Sequence, residues 1–143
     1  MRILFVEDEE LARVGLIPLL SERGHHVDVA EDADEAVESM RQEQYGLILL
    51  DIMIPSGEVV ADVPFREAGK ELLLRLRAAE LGELKTPADV AVVAVTAVTD
   101  MDIVLALDSE KCEVEDILAK PIDPEDILDR LADLLRGEHD VHA

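Results

Sequence analysis

The sequence holds one cysteine, Cys112, no tryptophan, and only three aromatic residues, Phe5, Tyr45 and Phe65. A lone cysteine cannot close an internal disulfide, so stability must come from a packed core, and 143 residues suffice to bury about two-thirds of the unfolded surface. Three rings offer no stacking platform for single-stranded nucleic acid. Basic residues are scarce too: 13 against 34 acids give a formal net charge of −21, which repels phosphate backbones. Direct nucleic-acid binding is therefore not expected. No apolar run approaches the length of a membrane span, about eighteen residues, and no basic segment precedes an apolar core at the start. The chain reads as cytoplasmic, without a span or signal peptide. The acidity reads first as solubility or adaptation to salt, and it favours divalent cations and basic surfaces as partners.

What the sequence does have is a set of short apolar runs alternating with amphipathic segments. Ile3 to Val6, Val27 to Ala30, Leu47 to Leu50, Val90 to Val95 and Ile117 to Ala119 read as strands, several of them continuously apolar, as strands covered on both faces are. Helical spacing runs over Glu9 to Arg23, Asp34 to Gln42, Arg66 to Leu81, Asp100 to Leu107 and Pro124 to Arg136. In the third of these, Leu72, Leu73, Leu76 and Ala79 recur at three and four, leaving Glu71, Arg75 and Arg77 for water. Five such units predict a parallel sheet with helices on both faces. Gly24 and Gly82 are placed to end the first and third helices and Pro124 to start the last. Pro18 conflicts locally, because inside a helix it removes one backbone bond at a cost of about 3 kcal/mol unless the helix kinks.

The strands end in chemistry. Glu7, Asp8, Asp51, Thr96 and Lys120 all fall at carboxyl ends, the edge where ligands bind in doubly wound sheets. With acids so abundant, no single carboxylate is informative; lysine occurs only at positions 70, 85, 111 and 120, so Lys120 before Pro121 is. Converging carboxylates repel one another unless a hard cation sits between them, and Mg²⁺ suits a few carboxylate oxygens plus waters. Asp51 could then act as a nucleophile toward phosphorus, with Lys120 neutralising charge and Thr96 donating its hydroxyl. Each residue also has a bland role: Asp8 as a helix cap, Asp51 as a turn former, Thr96 bonding its own backbone. His25 and His26 read as loop residues in water, and His139 with His142 as part of a frayed tail.

The segments FVEDEE, LILLDIMIP, VVAVTA and LAKPIDPEDIL, in that order and spacing, resemble a receiver domain of the two-component response regulators. The resemblance covers residues 1 to about 136 and implies a doubly wound, flavodoxin-like parallel sheet of strand order 2-1-3-4-5. It implies a phosphoprotein: a histidine kinase or phosphotransfer protein would donate a phosphoryl group to Asp51, forming an aspartyl phosphate. Glu7, Asp8, Asp51 and the Met53 backbone carbonyl would hold Mg²⁺. Lys120 and Thr96 would contact the phosphoryl group, and Pro121 would follow the lysine through a cis bond. The chain would be no enzyme beyond its own phosphorylation and dephosphorylation, acting as a single-domain regulator through contact with a downstream protein.

Two departures from the family pattern stand out. Pro55 is separated from the matching Gly69 by SGEVVADVPFREA, an insertion at about residues 56–68 that is too long for an ordinary strand-to-helix loop. It could pack as a lid, contact a partner, or simply fold on itself. The switch position that carries an aromatic in many relatives is here Ile117, stiff and β-branched, so a larger response is expected in the insertion and near Thr96. Residues 137–143 read as a polar tail. Two rival classes remain. A non-phosphorylated pseudo-receiver would tend to lose the acceptor, acids or lysine, all present here; a flavodoxin-like cofactor protein would need a glycine-rich phosphate cradle where this chain has EDEELA.

Overall fold

The computed structural model describes residues 1–64, 67–96, 104, 105, 107, 112–121 and 123–140. Strands β1 (Arg2–Val6), β2 (His26–Ala30), β3 (Leu47–Asp51), β4 (Ala91–Thr96) and β5 (Asp116–Ala119) alternate with helices α1 (Glu10–Glu22), α2 (Ala33–Gln42), α3 (Ala68–Arg77) and α4 (Pro124–Asp140). The sheet is wholly parallel, in the order β2-β1-β3-β4-β5 expected from the sequence. The helix expected over Asp100 to Leu107 lies largely outside the described residues, as do Phe65, Arg66, His142 and the side chain of His139. No helix among the described residues is long and apolar enough to cross a membrane.

Alternation along the strands builds two cores. Leu4, Val6, Ile48, Leu50, Val92 and Ala94 face α2 and α3, while Ile3, Phe5, Leu47, Leu49, Val93 and Leu118 face α1 and α4. Both faces of β3 are therefore covered, which is why LILLD is apolar without a break up to its last residue. Ile117 is half-buried on the α2/α3 side. Helix α1 runs unbroken through Pro18, which lies on the exposed face with Val14, the residue whose carbonyl it leaves without a helical partner.

Helix α3 stops earlier than expected. Ala79 adopts the left-handed conformation at φ 58°, three residues before Gly82, itself at φ 83°, with Ala79 N bonded to Leu76 O at 3.0 Å and Glu80 N to Arg75 O at 2.9 Å. These two bonds close the helix as a glycine C-cap normally does, with an alanine in the glycine's place. Nor are the arginines of α3 left to water. Arg77 is half-buried and donates to the carbonyls of Cys112, Ala88, Val90 and Glu113 at 2.7 to 2.9 Å. It thereby ties α3 to the approaches of both β4 and β5. Because left-handed backbone is strained at alanine, Ala79→Gly is expected to stabilise the fold by about 1 kcal/mol, seen as a higher urea midpoint. An unchanged or lower midpoint would show that Ala79 is not strained.

Candidate functional site

The carboxyl edge of the sheet collects the residues that the sequence singles out. Glu7 follows β1, Asp51 ends β3, Thr96 ends β4 and Lys120 follows β5. Register sets them level: Val6 pairs with Leu50, Asp51 with Val95, and Thr96 with Ala119. By alternation Glu7 continues the face of Ile3 and Phe5, and Asp51 that of Leu47 and Leu49, so the two acids project to the same side. Asp51 is 2 % exposed and Glu7 wholly buried.

One oxygen from each of Glu7, Asp8 and Asp51 lies within 4.8 Å of the others. Lys120 Nζ stands 2.8 Å from Asp51 Oδ2, to which it donates a hydrogen bond, and 3.0 Å from Glu7 Oε1. The second contact is an ion pair off the hydrogen-bond direction, so the buried Oε1 is left without a donor. Asp51 Oδ1 accepts the Met53 amide at 3.1 Å, so the turn role weighed for this aspartate holds alongside the site. Asp8 is not the helix cap: that position is Glu9, and no side chain caps α1. Thr96 is buried at the end of β4, its carbonyl accepting the Lys120 amide at 2.9 Å, and the Lys120–Pro121 bond is cis.

Burial, and then the hydrogen bond and charge of Asp51, push the Glu7 carboxyl above its ordinary range, against the opposing pull of Lys120. For Lys120, burial pulls downward, but the carboxylates of Asp51 and Glu7 outweigh it and the ammonium titrates above its usual value. Among the described residues, three carboxylates against one ammonium leave two negative charges to neutralise. That surplus and the orphaned Glu7 oxygen fit a divalent oxygen-seeking cation such as Mg²⁺, which Glu7, Asp8, Asp51 and the Met53 carbonyl would hold.

Arg13 escaped the sequence reading. Its Nη1 donates to the Glu7 carbonyl at 3.0 Å and to Glu31 Oε1 at 2.8 Å, fixing the backbone that carries the buried acid. No spacing rule flags it, because its partners come from a different strand end and from the loop after β2. His26 begins β2 rather than lying in a loop and contacts Asp28 at 3.0 Å, far from this edge in the chain's register. Beside the site, a groove of about 510 Å³ opens between α1 and the start of α4, lined among others by Leu11, Gly15, Lys120, Pro121 and Pro124. Leu11 is 85 % exposed there.

A doubly wound sheet that brings three acids and a lysine to its carboxyl edge is the architecture of a receiver. The model of the response regulator receiver domain matches residues 3–132, and the chain belongs to that family. It is 33% identical over 132 residues to the transcriptional regulatory protein DltR of Streptococcus agalactiae, covering 92% of this chain and 50% of that protein. To the transcriptional regulatory protein HprR of Escherichia coli it is 30% identical over 144 residues, covering 100% of this chain and 55% of that protein. The chain thus spans about half the length of these curated relatives. In fold it is similar to a CheY-like receiver domain protein from Methanospirillum hungatei, with a TM-score of 0.73 and 24% identity over 97% of each chain.

A raised Glu7 carboxyl has a definite consequence for stability. The folded state holds this proton more tightly than the unfolded chain, so stability falls as pH rises from the ordinary glutamate value through the raised one. Without metal at neutral pH, Glu7→Gln removes that burden and is expected to raise the melting temperature by about 3 °C. The gain should vanish in acid, where Glu7 is protonated in both states. A melting temperature lowered at neutral pH would mean that the Lys120 ion pair outweighs the repulsion.

Proposed function

We propose that this chain accepts a phosphoryl group on Asp51 from a histidine kinase or phosphotransfer protein, in a Mg²⁺-dependent reaction, and signals by protein contact in the cytoplasm. The observation that carries this reading is the Lys120 ammonium hydrogen-bonded to a buried Asp51 with two further carboxylates in reach. An oxygen of Asp51 attacks phosphorus while the bond from phosphorus to the donor's imidazole nitrogen breaks, its electron pair staying on that nitrogen. A bound Mg²⁺ would supply charge neutralisation at the phosphoryl oxygens. Lys120 would pair with one of those oxygens and Thr96 would donate its hydroxyl to another, a charge-assisted bond that would draw the threonine toward the acceptor. The exposed Leu11, which lines the groove with Pro121 and Pro124, would give a protein donor an apolar seat in an otherwise acidic surface. The reaction is the chain's own phosphorylation and dephosphorylation; it turns over no other substrate.

Acetyl phosphate with Mg²⁺ is expected to add one phosphoryl group to the intact mass. The adduct should be lost in Asp51→Asn and on chelation of the metal. An adduct that survives Asp51→Asn, or no adduct at all, would overturn the assignment, and the latter would favour an interaction module that works unphosphorylated.

The response should reach the insertion before the last strand. Ile117 has no ring to swing, whereas the inserted segment closes directly onto the acceptor, with Gly69 N bonded to Ile52 O at 2.9 Å. Beryllofluoride with Mg²⁺ is expected to slow hydrogen exchange more in the segment from Ser56 to Ala68 and near Thr96 than from Ile117 onward. Protection confined to β5 and α4 would refute this route.

A further inference from the structure

The inserted segment is neither a free lid nor packed only on itself. It leaves and returns at the acceptor: a Cβ at Gly69 would stand 2.6 Å from Ile52 Cα and 2.7 Å from Asp51 O, so only glycine lets the two ends meet. Between those ends, Val60 is wholly buried, and Arg75 donates to the Val59 carbonyl and reaches Asp62 at 3.5 Å. The firmest hold is on α2. Asp34 accepts the Glu58 amide at Oδ2 and the Val59 amide at Oδ1, both at 2.8 Å, and Ala33 N donates to Pro55 O at 3.2 Å. Gly57 sits between them at φ 63°, where a Cβ would fall 2.5 Å from Asp34 Oδ2. Helix capping accounts for Asp32, whose side chain accepts the Glu35 amide, and leaves Asp34 to the loop.

We infer that Asp34 is a positioning residue for the cation site, acting through the backbone that carries the Met53 carbonyl. This rests on the reading of the site given above. Met53 lies between two fixed points. On one side Ile52 N bonds Val95 O at 3.0 Å and Met53 N bonds Asp51 Oδ1; on the other Ile54 is wholly buried and Pro55 is tied to Ala33. Four residues beyond Met53, Gly57 turns the chain against Asp34, and the two carboxylate bonds stop Pro55 to Val59 from sampling other paths. Release that anchor, and the carbonyl must be ordered when the cation binds rather than beforehand, which weakens binding as loss of an outer partner of a ligand does.

The test is calorimetric titration of the full chain with Mg²⁺ alone, no phosphodonor present. Asp34→Ala and, independently, Gly57→Ala are expected to weaken Mg²⁺ binding about tenfold, with Asp34→Asn in between because it keeps one acceptor oxygen. Arg77→Ala, which loosens the other end of α3, serves as the control: it should lower the melting temperature and leave Mg²⁺ affinity unchanged. Unaltered affinity in both Asp34→Ala and Gly57→Ala would overturn the inference, as would an equal loss in Arg77→Ala. If Asp34→Ala does not fold, Gly57→Ala and Asp34→Asn decide between these outcomes. A wild-type chain that binds no Mg²⁺ would overturn the functional reading and this inference together, whereas binding by the wild type with unaffected variants removes the inference alone.

Discussion

Mutual repulsion among Glu7, Asp8 and Asp51 is the constraint on which the site depends. Each acid would be ordinary in water; two of them are held at the dry end of a sheet buried on both faces, where among the described residues one ammonium faces all three. Lys120 meets the hydrogen-bonding need of Asp51 and only the charge of Glu7, whose Oε1 lacks a donor. An arrangement that costs stability when empty is best explained by what it is built to receive, and functional sites commonly carry such strain. The same surplus of two negative charges would give a divalent cation its affinity, and under the proposed function the cation with Lys120 would make a carboxylate a workable nucleophile toward an anionic phosphoryl group.

The scaffold supports this from three directions. Parallel register brings four strand ends to one level, Arg13 braces the Glu7 backbone, and Asp34 with Gly57 braces the loop after Asp51. Arg77 turns its guanidinium fork on four backbone carbonyls and Arg75 reaches the Val59 carbonyl, Glu71 and Asp62, so these two of the chain's 13 basic residues sit where several acceptors converge. In the segment after Asp51 this gives an excursion whose two ends meet beside Asp51, where Gly69 closes on Ile52.

The sheet and the site were legible in the sequence because both follow from local pattern. Continuously apolar LILLD could only be a central covered strand, and the scarcity of lysine made Lys120 conspicuous where no single acid was. What could not be read depends on distant partners. Helical spacing put Arg75 and Arg77 on the water side, yet long side chains snorkel across the surface to carbonyls 11 to 36 residues away. The stop of α3 at Ala79 was hidden because alanine is normally a helix former, and only the two capping bonds reveal it. Asp34 looked like one more acid at a helix start, since the insertion that it holds had no pattern to place it. The uncapped start of α1 likewise removed the bland alternative for Asp8 that residue type alone favoured.

The central claim, that Asp51 is the acceptor of a tetrahedral anionic group held jointly by a divalent cation and Lys120, is tested most directly by fluorine NMR of the protein with beryllofluoride. The account predicts bound fluorine resonances that appear only when Mg²⁺ is also present, and that are lost in Asp51→Asn and weakened in Lys120→Ala. Bound resonances that form without the metal, or that persist when Asp51 is replaced, would contradict it.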